Sequence, residues 1–299
     1  MTKTDESFDT SGAAKTGAGP TSVVAIDQYF PSEQRIIQDD LAVQILPRGD
    51  RFFIKLMRIP LLRNWMIQLA EKEIKGVWSG FLCRKRYIDE KIVAAVENGS
   101  VEAIVNLGAG YDTRVYRLPE LATVPVWEVD QPVSIETKRN GVINALGNVP
   151  SHVTLVTINF VTQDLGEVLQ ANGYASDKKA FFIWEAVSQY LTETAVRQTF
   201  DFLARAPLGS QLTFTYVLKD FIEGKNFYGQ EKFYQRAVIK GKIWHFGFDP
   251  AEVADFLGEY GWRLVEDLSY EELGDRYMKP TGRDLPSMEI ERMVYAEKV

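Results

Sequence analysis

Two glycines at the end of a short apolar run are the first residues whose types and spacing could do chemistry. Gly108 and Gly110 close the run "IVNLGAG", and Asp112 or Thr113 can cap a helix that follows. Glycine lets the backbone approach a ligand closely, and the N-terminus of a helix favours a negative group. The dinucleotide fingerprint needs a third glycine, but position 113 is threonine. Alone, the loop is equally compatible with an ordinary strand-to-helix turn.

An acidic residue ends the next apolar run. In "VWEVD", Glu128 and Asp130 follow Gly108 by about 20 residues. A carboxylate at this place accepts hydrogen bonds from ribose hydroxyls in nucleoside-binding α/β folds, and it could also cap a helix starting near Pro132. Together the loop and the acid indicate an adenosine-type cofactor, either NAD or S-adenosylmethionine.

Three features favour S-adenosylmethionine over NAD. The third glycine is missing, where a pyrophosphate site would need close helix packing. The fourth predicted strand ends in "FFIWEAVSQYL", which puts Glu185 and Tyr190 at the carboxyl edge where open sheets bind ligands. The chain also finishes in two strands with no convincing helix between them, an ending more typical of methyltransferases than of dehydrogenases.

The elements that position these residues alternate along most of the chain. Helical spacing of apolar residues runs from Thr21 to about Asn98, with Gly99 as a stop. Seven strands are predicted at 101–108, 123–130, 152–160, 179–187, 210–218, 262–270 and 288–299. Helices are predicted between them at 112–121, 132–146, 163–171 and 192–206, and another from Asp249. This pattern predicts an α/β fold with a mostly parallel seven-stranded sheet that ends in an antiparallel hairpin.

The 299 residues, 45% of them apolar, are enough for one large domain. We expect residues 1–20 to be a flexible tail and 21–299 to be a single domain. Within it, residues 21–98 form a cap of helices and the aromatic segment 218–248 is an insertion that extends the cap.

Composition argues against several classes of protein. The net charge is −7 and the basic residues are interspersed, which argues against nucleic acid or an anionic membrane as the main partner. Two histidines and the single Cys83 make a zinc site improbable, so we predict no metal. The chain shows no spanning apolar run and no secretory signal, so we expect a cytoplasmic protein.

The motifs also carry a family resemblance. The run "VNLGAGYDTRVYRLP", followed by "EVDQP" and "WEAVSQYLT", resembles the leucine carboxyl methyltransferase family, which includes bacterial polyketide-type O-methyltransferases. The resemblance extends from "RIIQDDLAVQILP" and "RKRYIDEKI" to "FGFDPAEVADFLGEYGWRL". It implies a Rossmann-like class I methyltransferase fold with a helical cap. It also implies methyl transfer from S-adenosylmethionine, leaving S-adenosylhomocysteine, to an oxygen that is often part of a carboxylate.

The resemblance implies roles for individual residues. Arg84 would pair with the methionine carboxylate of the cofactor, with Arg86 as the second candidate, and Glu185 would lie near the methionine amine. A bidentate contact from arginine is one that lysine copies poorly. The remaining cofactor residues would be Gly108, Ala109 and Gly110 around the methionine part, and Asp130 on the ribose.

Two positions depart from the family pattern. Asn159, before Phe160, stands where the family usually has an aspartate whose carboxylate accepts a hydrogen bond from the adenine amine. The side-chain carbonyl of asparagine can accept the same hydrogen bond, but it carries no charge. Asp164, five residues later, is expected to cap the next helix instead. Ala186 replaces a common glycine, which we expect to crowd the site slightly.

Few residues could act on the acceptor. His245 is the sole plausible base, but a histidine outside a motif is more often a surface or packing residue, here in an aromatic cluster. Tyr190 is a candidate substrate-facing hydroxyl, or a tyrosine packed under the next helix. The shortage of bases favours a carboxylate acceptor, because a carboxylate is already ionised at neutral pH.

The 218–248 segment has two interpretations. Its aromatic residues could line an apolar acceptor pocket or form the core of the cap. These residues are Phe221, Phe227, Tyr228, Phe233, Tyr234 and Trp244. Likewise Arg236, Lys240 and Lys242 could attract an anionic acceptor or form a solvated face.

The sequence therefore favours an S-adenosylmethionine-dependent O-methyltransferase that forms methyl esters on a small-molecule acid. Within the same family, the alternatives are a protein C-terminal leucine carboxyl methyltransferase and a polyketide-type methyltransferase of phenols or other hydroxyls. Outside it, they are a NAD-dependent dehydrogenase and a non-catalytic cofactor-binding protein.

Overall fold

Seven strands form one sheet in the computed structural model, which describes residues 17–160 and 162–299. The strands are β1 (Ala103–Leu107), β2 (Val126–Asp130), β3 (Val153–Thr157), β4 (Ala180–Trp184), β5 (Gln211–Val217), β6 (Trp262–Ser269) and β7 (Glu291–Lys298). Their order is β3-β2-β1-β4-β5-β7-β6. Strands β1 to β5 are parallel, and β7 runs antiparallel to both β5 and β6. The predicted sheet and its terminal hairpin are confirmed.

Five helices precede the sheet, over the residues for which the sequence predicts a cap. They are α1 (Ala18–Asp27), α2 (Ala42–Ile45), α3 (Arg48–Leu56), α4 (Pro60–Glu73) and α5 (Val77–Glu97). The helices that follow are α6 (Arg114–Arg117), α7 (Pro132–Leu146), α8 (Leu165–Ala171), α9 (Glu193–Leu203), α10 (Lys219–Ile222), α11 (Glu231–Tyr234), α12 (Val253–Glu259) and α13 (Tyr270–Leu273). Among the described residues, no helix is long and apolar enough to cross a membrane.

The core lies on both faces of the central strands. Every residue of β1, β4 and β5 is buried, which agrees with their nearly continuous apolar sequences. Helix α9 packs its apolar stripe, Val196, Phe200 and Leu203, into this core. Its N-terminus is capped by Thr192, whose side chain accepts from the Ala195 N–H.

Two predicted elements differ from the structure. The predicted helix at 112–121 is divided into the single turn α6 and a 3-10 turn at Pro119–Leu121, because Pro119 has no N–H and holds Leu118 in an extended conformation. The connection between β6 and β7 is helical at α13 and continues in a π-helix at Gly274–Met278, so the expectation of no helix there was wrong. A capping box formed by Ser269 and Glu272 is the sequence signal for α13.

The first helix lies close to the predicted tail boundary. Residues 1–16 of the predicted tail lie outside the described residues, and Ala18–Pro20 already belong to α1. Helix α1 packs against α2 and α5. Its Asp27 forms a buried ion pair with Arg283 at 2.6 Å, which ties the cap to the segment before β7.

Candidate active site

A cavity of about 560 Å³ opens at the carboxyl ends of β1, β2 and β4. The strand order reverses between β1 and β4, and ligands of open α/β sheets bind at such a switch point. The cavity is lined by nine of the ten residues predicted for the site, which are Arg84, Gly108, Ala109, Gly110, Asp130, Phe160, Glu185, Tyr190 and His245. The tenth, Asn159, is exposed and does not line it.

The glycine loop owes its shape to two different requirements. Gly108 has φ +72°, and a Cβ there would lie 2.3 Å from Val187 Cγ2, so only glycine lets the loop pack against the segment after β4. Gly110 has φ +43°, and a Cβ there would meet nothing closer than 4.0 Å. The loop backbone at Gly110 therefore leaves open space in front of it.

Asp130 shapes the same loop from the end of β2. Its Oδ2 accepts from the Gly110 N–H at 2.7 Å, and its Oδ1 accepts from the Gln131 N–H at 2.7 Å. Burial raises the pKa of Asp130, and these hydrogen bonds oppose that rise. Each carboxylate oxygen has a further lone pair with which to accept from a ligand hydroxyl.

A buried ion pair supports the loop from beneath. Lys138 of α7 lies 2.5 Å from Glu128 Oε1, and its Nζ donates to the Ala109 carbonyl at 3.3 Å. The Tyr116 hydroxyl donates to the other oxygen of Glu128. Burial raises the pKa of Glu128, and Lys138 opposes that rise. Glu128, which the sequence placed beside Asp130, therefore has a structural role.

Glu185 lies among three cations at the end of β4. Its carboxylate is 2.8 Å from Arg84 Nε, 3.2 Å from Lys85 Nζ and 3.1 Å from Arg114 Nη2. Burial alone would raise the pKa of Glu185, but the three cations outweigh burial and lower it to about 2. Arg84 also contacts Glu291 of β7 at 3.2 Å, so it is engaged on two sides.

Lys85 is a second cation on the cavity wall that the sequence reasoning missed. Its Nζ lies 3.6 Å from Asp112 and 3.2 Å from Glu185. Arg86, the second candidate for the methionine carboxylate, is exposed and does not line the cavity. The three consecutive cations in "CRKRY" point to different sides of one helix, and the sequence alone does not show which side faces the cavity.

Two buried amides on the wall were also missed. Asn106 and Gln189 are each 2% exposed. Among the described residues, Asn106 Nδ2 and Gln189 Oε1 have no hydrogen-bond partner. An unsatisfied buried polar atom costs about 1–3 kcal/mol, so both atoms favour a ligand that completes their hydrogen bonding.

The other end of the cavity is aromatic. The rings of Tyr190 and Trp244 meet edge to face with centroids 6.5 Å apart, and Phe233 packs against Trp244 at 4.9 Å. The His245 N–H donates to the Gln189 carbonyl at 2.7 Å. Burial lowers the pKa of His245 from its ordinary value of 6.5, and a hydrogen bond to the Lys242 backbone opposes this change. The lowered pKa favours the neutral imidazole.

The aromatic residues of the inserted segment divide between the cavity wall and the core of the cap. Phe233 and Trp244 line the cavity, whereas the other four aromatic residues belong to the cap core or pack against it. Arg236, Lys240 and Lys242 are exposed and do not line the cavity, which favours the solvated face. Arg236 does stack over the Phe233 ring, with its Cζ 5.4 Å from the ring centroid, but no lysine or arginine of this segment lines the cavity among the described residues.

Ala186, the second departure from the family pattern, and Asp164, the predicted helix cap, have clear positions. Ala186 adopts φ +56°, and its N–H donates to Thr215 Oγ1 at 2.8 Å. This left-handed conformation costs a non-glycine residue about 1–2 kcal/mol of backbone strain. Ala186 also lines the cavity, where the expected crowding stays a prediction. Asp164 caps α8 by accepting from the Glu167 N–H, as predicted.

Comparison with known proteins identifies the family. Residues 18–204 match the family described as leucine carboxyl methyltransferase. The chain belongs to the leucine carboxyl methyltransferase family. The methyltransferase is 29% identical over 296 residues, 97% of this chain and 94% of the relative, to a Mycolicibacterium paratuberculosis protein named "Putative S-adenosyl-L-methionine-dependent methyltransferase". YktD of Bacillus subtilis, which is also named a putative S-adenosyl-L-methionine-dependent methyltransferase, is 26% identical over 220 residues. These residues are 73% of this chain and 72% of YktD.

A solved structure extends the comparison to the fold. A Thermobifida fusca protein described as a "putative methyltransferase" superposes with a TM-score of 0.56 at 15% identity, covering 91% of this methyltransferase and 97% of that chain. This likeness confirms the predicted class I methyltransferase fold. Together with the family, the names of the relatives confirm the predicted cofactor, S-adenosylmethionine.

Proposed function

We propose that this methyltransferase is an O-methyltransferase that forms methyl esters on a small, largely apolar carboxylic acid. The observation that carries the proposal is the division of one cavity into two ends. One end has the glycine loop and Asp130, and the other has Tyr190, Phe233 and Trp244. A polar cofactor and an apolar acceptor can therefore meet within a single enclosed space.

The residues at the first end fit S-adenosylmethionine. Asp130 would accept from the ribose hydroxyls, and the unsatisfied Nδ2 of Asn106 is a donor for the methionine part. Arg84 or Lys85 would pair with the methionine carboxylate, and Glu185 with its ammonium. When bound, the cofactor supplies a methyl group on a positively charged sulfur.

A carboxylate acceptor agrees with the chemistry available at the second end. A carboxylate is ionised at neutral pH, so the protein needs only to orient and desolvate it. The Tyr190 hydroxyl and the Gln189 amide could orient polar groups of the acceptor, while Trp244 and Phe233 pack against its apolar part. The family description, which names carboxyl methylation, also favours this acceptor.

A hydroxyl acceptor is the second candidate, and His245 favours it. A phenol or alcohol needs a base, and a histidine that is neutral at pH 7 can act as one. His245 lines the cavity and has a lowered pKa. The same residue could instead only orient a carboxylate.

The deciding experiment is methylation of an acceptor panel with methyl-labelled S-adenosylmethionine. The panel should contain carboxylic acids, matched phenols and a peptide ending in leucine, and mass spectrometry should locate the transferred methyl group. Methyl esters of small acids would support the proposal, and aryl methyl ethers would establish the second candidate. A chain that binds S-adenosylhomocysteine but methylates nothing in the panel would be a binding protein, and one that binds NAD instead would contradict both candidates.

His245→Ala separates the two acceptors on the protein side. With a carboxylate acceptor we expect turnover to remain within about tenfold, because no proton has to be removed. With a hydroxyl acceptor we expect a loss of roughly 10²–10⁴-fold. His152→Ala is the matched control, since His152 lies outside the cavity beside the Val115 carbonyl.

A further inference from the structure

The helices α3 and α4 expose an unusual concentration of apolar side chains. Eight of the fifteen large exposed hydrophobic residues among those the structure describes lie between residues 52 and 69. They are Phe52, Phe53, Leu56, Ile59, Leu61, Leu62, Trp65 and Leu69, each 36–79% exposed, and we call them the α3–α4 patch. The other seven are spread over the rest of the described chain, so this patch is local.

Helix α4 is apolar on two sides. Ile67 is buried against the protein, together with Arg63. Leu61, Trp65 and Leu69 follow one another at four-residue spacing and therefore share another side, which is exposed. A helix that only packs on its own domain needs one apolar side. The three aromatic residues of α3 and α4 expose roughly 300 Å², and the five aliphatic residues of the patch add to this. The exposed apolar area of the two helices is therefore in the range found at interaction surfaces.

Cations accompany the patch. Arg48, Arg51, Lys55 and Arg58 recur at three- or four-residue spacing along α3 and the turn after it, against the single acid Asp50. Within the described residues, Arg48 and Lys55 are exposed and form no ion pair. The surface is thus locally basic on a chain whose net charge is −7.

Charge complementarity selects the partner. Arginine and lysine beside phenylalanine, tryptophan and leucine form the composition of helices that lie in the interface of an anionic bilayer. A second copy of the chain would bring two such rows of cations into one symmetric interface, where they repel. An anionic lipid surface therefore fits the patch better.

We propose that the α3–α4 patch docks the protein peripherally on an anionic lipid bilayer. The apolar side chains enter the boundary between headgroups and acyl chains, and the cations face the lipid phosphates. Ile74, directly after α4, lines the cavity, so the docked helix leads to the site. The proposal departs from the expectation based on net charge, because net charge averages over the whole surface and the patch is local.

The test uses the full chain with vesicles of equal parts phosphatidylglycerol and phosphatidylcholine, and with vesicles of phosphatidylcholine alone. Trp65 is 58% exposed and the other five tryptophans are at most 8% exposed, so a shift in tryptophan emission reports on the patch. We expect co-sedimentation and a blue shift with the anionic vesicles, both weakened by high salt. Absence of binding to anionic vesicles would overturn the proposal.

Two substitutions make the test specific. Leu61→Asp and Lys55→Glu should each weaken vesicle binding by roughly tenfold or more. Their matched controls are Leu208→Asp, at a leucine that is 67% exposed elsewhere, and Lys178→Glu, at another exposed lysine. The controls should bind as the parent does. Equal weakening by the controls would overturn the proposal, and circular dichroism checks that each variant is folded.

A second copy of the chain is the competing occupant, and light scattering in solution examines it. If the parent is dimeric and Leu61→Asp converts it to a monomer, the patch is an interface between copies and the lipid proposal is wrong. The proposal is supported if the parent and Leu61→Asp have the same molecular mass in solution and the variant binds anionic vesicles more weakly than the parent. Neither readout depends on methyl transfer, so failure here is distinct from failure of the proposed function.

Discussion

Asp130→Ala should weaken the binding of S-adenosylhomocysteine, the cofactor product, through two separate contributions. The first is the contact with the ribose, where a hydrogen bond to a charged acceptor is worth about 1.5–3 kcal/mol. At 1.4 kcal/mol per factor of ten, this corresponds to roughly a 10- to 150-fold higher Kd. The second is the loss of order in the glycine loop, because Asp130 also accepts from the Gly110 and Gln131 N–H groups, at 2.7 Å each.

The second contribution affects stability as well as binding. Removing the carboxylate leaves two backbone donors without this partner, at about 1 kcal/mol for each lost hydrogen bond. We therefore expect the free energy of unfolding to fall by about 2 kcal/mol. A less ordered Gly110 can only add to the loss of affinity, so tenfold is the lower bound on the change in Kd.

Calorimetric titration with S-adenosylhomocysteine measures the Kd, and urea unfolding measures the stability. Asp164→Ala is the matched control, because this aspartate caps α8 and does not line the cavity. It should lower stability by about 1 kcal/mol and leave the Kd unchanged. A folded Asp130→Ala variant with the parent's Kd would refute the ribose assignment.

The pH dependence provides an independent check. Burial raises the pKa of Asp130 above its ordinary value of 3.8, so the carboxylate takes up its proton at a higher pH than an exposed aspartate does. Affinity of the parent for S-adenosylhomocysteine should therefore weaken as the pH falls toward that raised pKa. The Asp130→Ala variant should lack this component.

Other predictions concern the end of β4. Glu185→Gln should lower the free energy of unfolding by about 3 kcal/mol at pH 7, because the pKa of Glu185 is about 2 in the fold and 4.5 ordinarily. This stability is fully present above pH 4.5 and is lost as the pH falls toward 2, so urea unfolding of variant and parent should converge in acid. The exposed Glu136→Gln is the control and should change stability by less than about 0.5 kcal/mol. Ala186→Gly should raise the free energy of unfolding by about 0.5–1 kcal/mol, since glycine relieves the strain at φ +56° but has more freedom when unfolded. Ala94→Gly, in the last turn of α5, should lower it by up to a similar amount. A destabilised Ala186→Gly variant would show that no strain is stored at Ala186.

The fold could be predicted because its signals are local. Each strand is a short apolar run between turn residues, and the periodicity of the helices is equally local. The errors arose where one residue overrides its neighbours, as Pro119 does within the predicted helix at 112–121. Sequence periodicity also does not reveal that α4 buries one apolar side and exposes another.

The site could be predicted only where its residues follow a motif. Gly108 and Asp130 end adjacent strands, so a short pattern locates both. Lys85, Gln189 and Glu291 reach the same cavity from separate elements, and no spacing links them. Asn159 had a motif position but lies exposed, because the chain after β3 presents Phe160 to the cavity instead.

The family match ends at residue 204, yet part of the cavity wall comes from Phe233, Ile243, Trp244 and His245. Under the proposed function, the acceptor end is therefore built from Gln189 and Tyr190, inside the family match, and from residues beyond it. On that proposal, substitutions in the stretch beyond residue 204 should alter which molecule is methylated without changing the glycine loop or its supporting ion pair. Such an exchangeable wall offers a direct route to new acceptor specificities on an unchanged methyl-donating scaffold.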